Sequence, residues 1–302
     1  MQITSNNPML SRKHLYKIVI LALLLYISSL FYGQKIDDSR SEANEQKMGK
    51  PLFKEFASSN PKQKMNTRLN KTLCHKLVKS NLAYFCIGYS AICDQVDGVY
   101  AEEKAKDEKL CNLLNRLGSD KCIQHDYAYL YDFLFKNIRH ERLNILELGL
   151  GSVEDKRFPS QMMAKYTTGA SHRAWREYFP NSQIFGADVN PDSVFQEERI
   201  TTYYADITKN DTLNRMFHQI VVPLDILIDD SLHRPGAQKN LFSVAFHKVK
   251  PGGLYIVEDI GKTVLCEEHY QHYIDIGLKD FAFIRTNKVG DSIVSVAVKA
   301  SL

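Results

Sequence analysis

The sequence contains no internal repeat, no cysteine pair at a zinc-binding spacing, no phosphate-loop lysine after its glycine turn, and no large excess of either charge. Each absence removes a class of function. Without a repeat there is no solenoid to build, without the cysteine spacing no zinc module, and without the lysine no NTPase of the phosphate-loop type. The formal charge is +4, the pI is about 8.6, and the basic residues are scattered, which argues against nucleic acid as a partner. The glycine turn also lacks the full G-x-G-x-x-G spacing, which weighs against a nicotinamide oxidoreductase. What is present is enough apolar material, 44% of 302 residues, for one main domain with extensions.

The N-terminus departs from this ordinary composition. Arg12, Lys13 and Lys17 precede an uncharged apolar run, Ile18 to Tyr32, somewhat shorter than the ~20 residues of a usual spanning helix but apolar on every face. The basic cluster before the run, with Asp37 and Asp38 after it, keeps the N-terminus cytosolic by the positive-inside rule. Residues 1–17 read as a cytosolic tail and 18–32 as an uncleaved signal-anchor, giving a single-pass type II membrane protein with its body in the lumen of the ER or Golgi. Cleavage near Ile27-Ser28-Ser29, with secretion, is the alternative.

Residues 33–72 are polar and lysine-rich and read as a stalk. Residues 73–140 show apolar spacing of helical period in "LCHKLVKSNLAYFCIGY" and "KLCNLLNRLG" and read as a helical lead-in. Tyr127, Leu130, Tyr131 and Leu134 share one helix face behind Asp126, a candidate cap. Five of the six cysteines, Cys74, Cys86, Cys93, Cys111 and Cys122, precede the main domain, and Cys266 lies near its end. In a lumenal protein they permit disulfides, whose pairing the spacing leaves open. The sequons at Asn70 and Asn210 are glycan acceptors only in that compartment.

Residues 141–302 alternate strands with helices: "LNILELGLG", "QIFGADVN", "ITTYYADI", "LDILIDD" and "GGLYIVEDI", then "FAFIRTN" and "SIVSVAVK" joined through "KVGD". This predicts an α/β fold, a seven-stranded, mostly parallel sheet with an antiparallel hairpin at the end of the chain. Ligands of such sheets bind beyond the carboxyl ends of the strands. There the sequence places Glu147, Gly149 and Gly151 after the first strand, Asp188 after the second, Asp206 after the third, Asp229 and Asp230 after the fourth, and Glu258 and Asp259 after the fifth. One acid after a strand is a common turn residue; five strands ending in acids at one edge describe a site. A turn without Cβ atoms lets a ligand approach the backbone. Asp188 suits ribose hydroxyls and Asp206 an exocyclic amine, which together describe an adenosine site without a phosphate cradle.

The "ELGLGS" turn, "GASHRAWREYFPNSQIFGADVN", "LIDDSLH" and "KPGGLYIVEDI", with "GSDKCIQHDY" upstream, resemble the class I S-adenosylmethionine methyltransferases. The resemblance, which runs from about Gly118 to Val298, is to the branch of macrocin- and mycinamicin-type sugar O-methyltransferases. It implies a Rossmann-like methyltransferase fold. It also implies cofactor binding by Glu147, Gly149, Asp188 and Asp206, a divalent metal, Mg²⁺ by preference, on Asp230, Glu258 and Asp259, and His233 as general base; Gly151 joins the cofactor set through the glycine turn, and Asp229 either orients the cofactor or simply ends its strand. The chemistry of the residues agrees. The fourth and fifth strands are neighbours in that fold, so their acids converge and would repel without a hard cation among them, and His233 stands three residues past Asp230 to take a proton.

Ser231 departs from the branch, which has glycine there; a positive φ at that position would strain serine. The reading is therefore a membrane-anchored, metal-assisted O-methyltransferase of a sugar or glycan hydroxyl, set against a catalytically inactive anchored module that keeps the fold. Further copies of the chain are a candidate partner, and a lumenal enzyme needs a carrier to deliver its charged cofactor.

Overall fold

The apolar runs after Arg142 become strands covered on both faces, as parallel strands flanked by helices must be. Only the first position of "NILEL" and the second of "LDILID" fall short of full burial. The computed structural model describes residues 86–89, 109–152, 166–261, 263–286 and 293–299. In chain order its elements are β1 (Cys86–Tyr89), α1 (Lys109–Leu117), α2 (Tyr127–Phe135), β2 (Asn144–Leu148), α3 (Ala170–Tyr178), β3 (Gln183–Asp188), β4 (Gln196–Glu197), β5 (Ile200–Tyr204), α4 (Asn210–Gln219), β6 (Leu224–Asp229), α5 (Pro235–Ala245), β7 (Val249–Val257), α6 (Thr263–Asp275), β8 (Phe281–Arg285) and β9 (Ile293–Val298).

These strands form one mixed sheet in the order β1-β8-β9-β7-β6-β2-β3-β5-β4. The five strands β7, β6, β2, β3 and β5 run parallel, and β8 and β9 form the expected antiparallel hairpin, with β9 paired to β7. Successive connections leave β2 in opposite directions, β3 on one side and β6 on the other. The crevice for a ligand therefore opens between the carboxyl ends of β2 and β6.

Among the described residues, nine strands rather than seven correct the sequence reading, and each addition has a physical reason. β4 is a two-residue return onto β5, held where the Thr202 hydroxyl accepts from the Phe195 amide and donates to its carbonyl, both at 2.6 Å. β1 falls inside the stretch whose apolar spacing suggested a helix. The outer edge of β8 presents unpaired backbone groups, and "CIGY" satisfies them by antiparallel pairing. Glycine at its third position is a poor helix former in any case.

The later lead-in is helical as expected. Leu110 and Leu114 of α1 and Tyr127, Leu130, Tyr131 and Phe135 of α2 share a core with Trp175 and Phe179. Trp175 stands edge-on to Tyr131. Asp126 does not cap α2 with its side chain: it sits at φ 58 in the left-handed region, where the carboxylate makes no cap bond. Cys111 and Cys122 form a disulfide that ties α1 to the loop before α2, and Cys266 is also disulfide-bonded. The expected tail, anchor and stalk (residues 1–17, 18–32 and 33–72) lie outside the described residues. Among those described, no helix is long and apolar enough to cross a membrane.

Candidate active site

Parallel pairing brings the carboxyl ends of β2, β6 and β7 together, and backbone bonds lace them in register. The Asp230 amide donates to Leu148 O at 3.0 Å and the Glu258 amide to Asp229 O at 3.0 Å. Gly149, at φ 109, is required here: a Cβ would meet the Asp230 carbonyl oxygen at 2.1 Å. The sequence reading assigned this freedom to ligand approach. In the structure the space is taken by the end of β6, so the glycine serves the contact of two strands.

Three of the expected residues converge. Asp230, His233 and Asp259 each offer a ligand atom within 4.8 Å of the others. His233 Nε2 lies 3.4 Å from Asp259 Oδ2 and 4.0 Å from Asp230 Oδ1, and the His233 side chain is 40% exposed, open to a substrate. Asp259 sits at φ 57, a conformation that aspartate tolerates better than most residues. Tyr127 holds it there, accepting from the Asp259 amide at 3.3 Å and donating to Oδ1 at 2.5 Å. His125 stacks on Tyr127 with Nδ1 3.7 Å from Asp259 Oδ1.

Glu258 is placed differently. It is buried, and each oxygen holds one donor: Oε1 accepts from the Tyr131 hydroxyl and Oε2 from Lys121 Nζ at 2.6 Å. Lys121 Nζ is also 2.6 Å from Asp230 Oδ2 and 3.3 Å from Glu147 Oε1. Burial by itself pulls the Lys121 pKa down, but Asp230, Glu258 and Glu147 together hold it well above the ordinary lysine value. Burial, then Asp230, pushes the Glu258 pKa up against the pull of Lys121. With donors on both oxygens, the proton belongs to the ammonium and Glu258 is the acceptor.

Lys121 was not singled out in the sequence. Its signal was electrostatic: five acid-ended strands with no internal cation assigned to balance them.

The expected cofactor residues divide into two groups. Gly151, at φ 68, and the partly exposed Asp188 and Asp206 stand at or just past the carboxyl ends of β2, β3 and β5. Asp188 accepts from the Leu150 amide on Oδ2 and the Asn190 amide on Oδ1, each at 2.8 Å. Each oxygen retains a further lone pair, so the donor set fits ribose hydroxyls. Asp206 has a lowered pKa: burial opposes ionisation, but bonds from Thr208 and the nearby Lys209 outweigh it.

Glu147 and Asp229 are instead fully buried at the ends of β2 and β6. Glu147 accepts from the Ser171 hydroxyl at 2.8 Å and from the Trp175 indole. Asp229 accepts on Oδ1 from the Ser231 hydroxyl at 2.5 Å and the Ser231 amide at 3.2 Å; burial pushes its pKa up to about 6. Ser231 is not among the described non-glycine residues with positive φ, so the turn takes serine without strain and employs its hydroxyl.

No protein-family model matches the chain. Among curated proteins, it is 33% identical over 172 residues to an 8-demethyl-8-(2-methoxy-alpha-L-rhamnosyl)-tetracenomycin-C 3'-O-methyltransferase of Streptomyces olivaceus, covering 57% of this chain and 41% of that protein. It is 32% identical over 136 residues to the mycinamicin VI 2''-O-methyltransferase of Micromonospora griseorubida, 45% of this chain and 32% of that protein. The chain thus spans about two fifths or less of the length of these relatives. Among solved structures, the MycE methyltransferase of the mycinamycin biosynthetic pathway in complex with Mg and SAH matches with 32% identity and a TM-score of 0.44, over 50% of this chain and 36% of that one. In sequence, then, the chain is similar to sugar O-methyltransferases of the macrocin and mycinamicin type.

Proposed function

We propose that the chain is an S-adenosylmethionine-dependent O-methyltransferase that methylates a hydroxyl of a sugar or glycan with the help of a divalent cation, Mg²⁺ by preference. The observation that carries this reading is the convergence of Asp230, His233 and Asp259 at the carboxyl ends of β6 and β7, on the same sheet edge as Gly151, Asp188 and Asp206. Sugar-modifying relatives favour the acceptor class.

Two carboxylates converging at this spacing, Asp230 and Asp259, fit a divalent cation that takes oxygen ligands, and the His233 imidazole beside them is left to take a proton. Glu147, Asp230 and Glu258 share a single ammonium, so the neighbourhood retains negative charge that a cation offsets. S-adenosylmethionine supplies an electrophilic methyl group, and the cation supplies positive charge beside the acceptor oxygen. Asp188 and Asp206 orient the nucleoside. The acceptor oxygen forms its bond to the methyl carbon as the carbon–sulfur bond breaks, releasing S-adenosylhomocysteine. The hydroxyl proton passes to the His233 imidazole, and Asp259 Oδ2, 3.4 Å from His233 Nε2, stabilises the imidazolium. The remainder of the rate comes from in-line placement.

The test is transfer of labelled methyl from S-adenosylmethionine to a panel of glycans, with and without EDTA. Transfer that EDTA suppresses is expected. Intact cofactor binding with no transfer to any acceptor would leave the inactive module in its place.

The membrane placement is proposed alongside: a type II anchor at residues 18–32 with the domain in the ER or Golgi lumen. It is supported by the Cys111–Cys122 disulfide, a bond that persists in oxidising compartments. Glycosidase treatment of the protein from cells should shift its mass through Asn70 or Asn210. Both asparagines unmodified, with the domain open to cytosolic protease, would reverse the topology.

A further inference from the structure

The carboxylate cluster contains a cation of its own. An ammonium has three donors, and Lys121 points them at acids from three strands: Glu147 of β2 at 3.3 Å, Asp230 just past β6 at 2.6 Å, and Glu258 just past β7 at 2.6 Å. The side chain is 2% exposed. Its backbone is fixed on both sides, because the neighbouring Cys122 is joined to Cys111 and the Lys121 carbonyl accepts from Ala128 at 3.0 Å.

Oε2 lies 2.6 Å from this buried ammonium and Oε1 holds the Tyr131 hydroxyl, so a divalent ion on Glu258 would stand against a positive charge unless Lys121 gives way. Asp230 has Oδ2 on the lysine and Oδ1 turned towards His233. Asp259 has no contact with Lys121 and faces His233.

We propose that Lys121 is a positioning residue: its ammonium assembles Glu147, Asp230 and Glu258 into one cluster and withholds Glu258 from a divalent cation, which is left with Asp230 and Asp259. The inference rests on the cation reading above and refines it. The two cationic groups share Asp230 through different oxygens, so the lysine sets which face of that carboxylate remains available.

The test is calorimetric titration of the full-length chain with Mn²⁺, with thermal melting as a second readout. A lysine that merely supported the fold would weaken Mn²⁺ binding when removed. K121M is instead expected to bind Mn²⁺ at least about tenfold more tightly, because the competing charge is gone and Glu258 is released as a ligand. Adding E258Q to K121M should abolish that gain, and Mn²⁺ should raise the melting temperature of K121M more than that of the wild type.

In the wild-type background, E258Q should weaken Mn²⁺ less than about tenfold and D259N more than about a hundredfold. This pair decides the matter alone if K121M does not fold. Equal losses in E258Q and D259N, unchanged or weaker binding in a folded K121M, or no Mn²⁺ binding by the wild type would each overturn the proposal. Labelled methyl transfer is read separately, so these results leave the methyltransferase reading standing or falling on its own assay.

Discussion

The Tyr127 hydroxyl bonds Asp259 twice, accepting from its amide at 3.3 Å and donating to its carboxylate at 2.5 Å. One phenol thus stabilises both a left-handed backbone and the direction of the acid attached to it. Replacing Tyr127 with phenylalanine keeps the packing and removes the clamp. Y127F should lose about 1 kcal/mol of stability but roughly 10- to 100-fold in methyl transfer, since small misplacements of reacting groups are costly. Urea melts alongside a labelled-methyl assay separate the two effects; equal and small changes in both would refute the clamp.

His233 offers an exposed imidazole to the acceptor, whereas the carboxylates near it are already engaged. H233A is expected to slow transfer about 10²-fold or more while S-adenosylhomocysteine binds as before. Equilibrium dialysis of that product, set beside single-turnover rates, checks the expectation. A matching fall in affinity would reassign His233 to binding.

Gly149 is fixed by its neighbour. At φ 109, with the Asp230 carbonyl 2.1 Å from where a Cβ would stand, alanine must push β6 away from β2. G149A should lose ~2 kcal/mol or more, measured by chemical denaturation, and Mn²⁺ affinity should fall with it because Asp230 moves. A stable G149A that binds Mn²⁺ normally would mean the turn relaxes without moving the strand end.

The disulfide closes a short loop, Cys111 to Cys122 with a sequence separation of 11. Chain-entropy arguments give it up to about 3 kcal/mol. Reductant, or C111S with C122S, should lower the melting temperature. Hydrogen exchange around Lys121 should rise before that of β2 or β6, because the lost constraint lies next to the lysine. Uniform exchange across the domain would show that the bond does not single out this loop.

His269 supplies the pH dependence of stability. Burial first, then Lys239 and His272, lowers its pKa from 6.5 to about 3, and its Nε2 meets Gln238 Oε1 at 2.9 Å. The folded state refuses a proton that the unfolded chain accepts below pH 6.5. Stability from this residue is therefore complete above that pH and is lost as pH falls towards the folded value, by at most ~1.4 kcal/mol per unit. H269Q should flatten the wild-type slope between pH 6 and 4 in urea titrations. Parallel slopes would place the acid sensitivity elsewhere.

The parallel strands and their acid edge were legible because buried apolar runs and β-branched residues mark strands, and parallel pairing puts every carboxyl end on one side. Asp230, His233 and Asp259 could be placed together from that rule once the strand order implied by the family resemblance made the fourth and fifth strands neighbours. Other features depended on partners distant in sequence. "CIGY" carries no strand signal until the open edge of β8 is known. Glu258 reads as one more ligand until Lys121, more than a hundred residues earlier, takes its oxygen. The glycine at 149 was visible, but the carbonyl that requires it was not. Ser231 looked like a departure that might disable the turn, and only its φ and its bond to Asp229 show that it does not.

The position of β9 between β7 and β8, with β1 outermost on β8, bears on how the domain is made. Residues 86–89 wait for a pairing edge that does not exist until residues 281–285 have been synthesised, and one flank of β7 stays bare from its own synthesis until β9 follows. A ribosome adding about 5–20 residues per second leaves that apolar flank open for roughly 2–8 seconds. Premature termination after α6 should therefore yield aggregating material rather than a smaller domain. Chaperone demand during biogenesis is a direct result of this strand order.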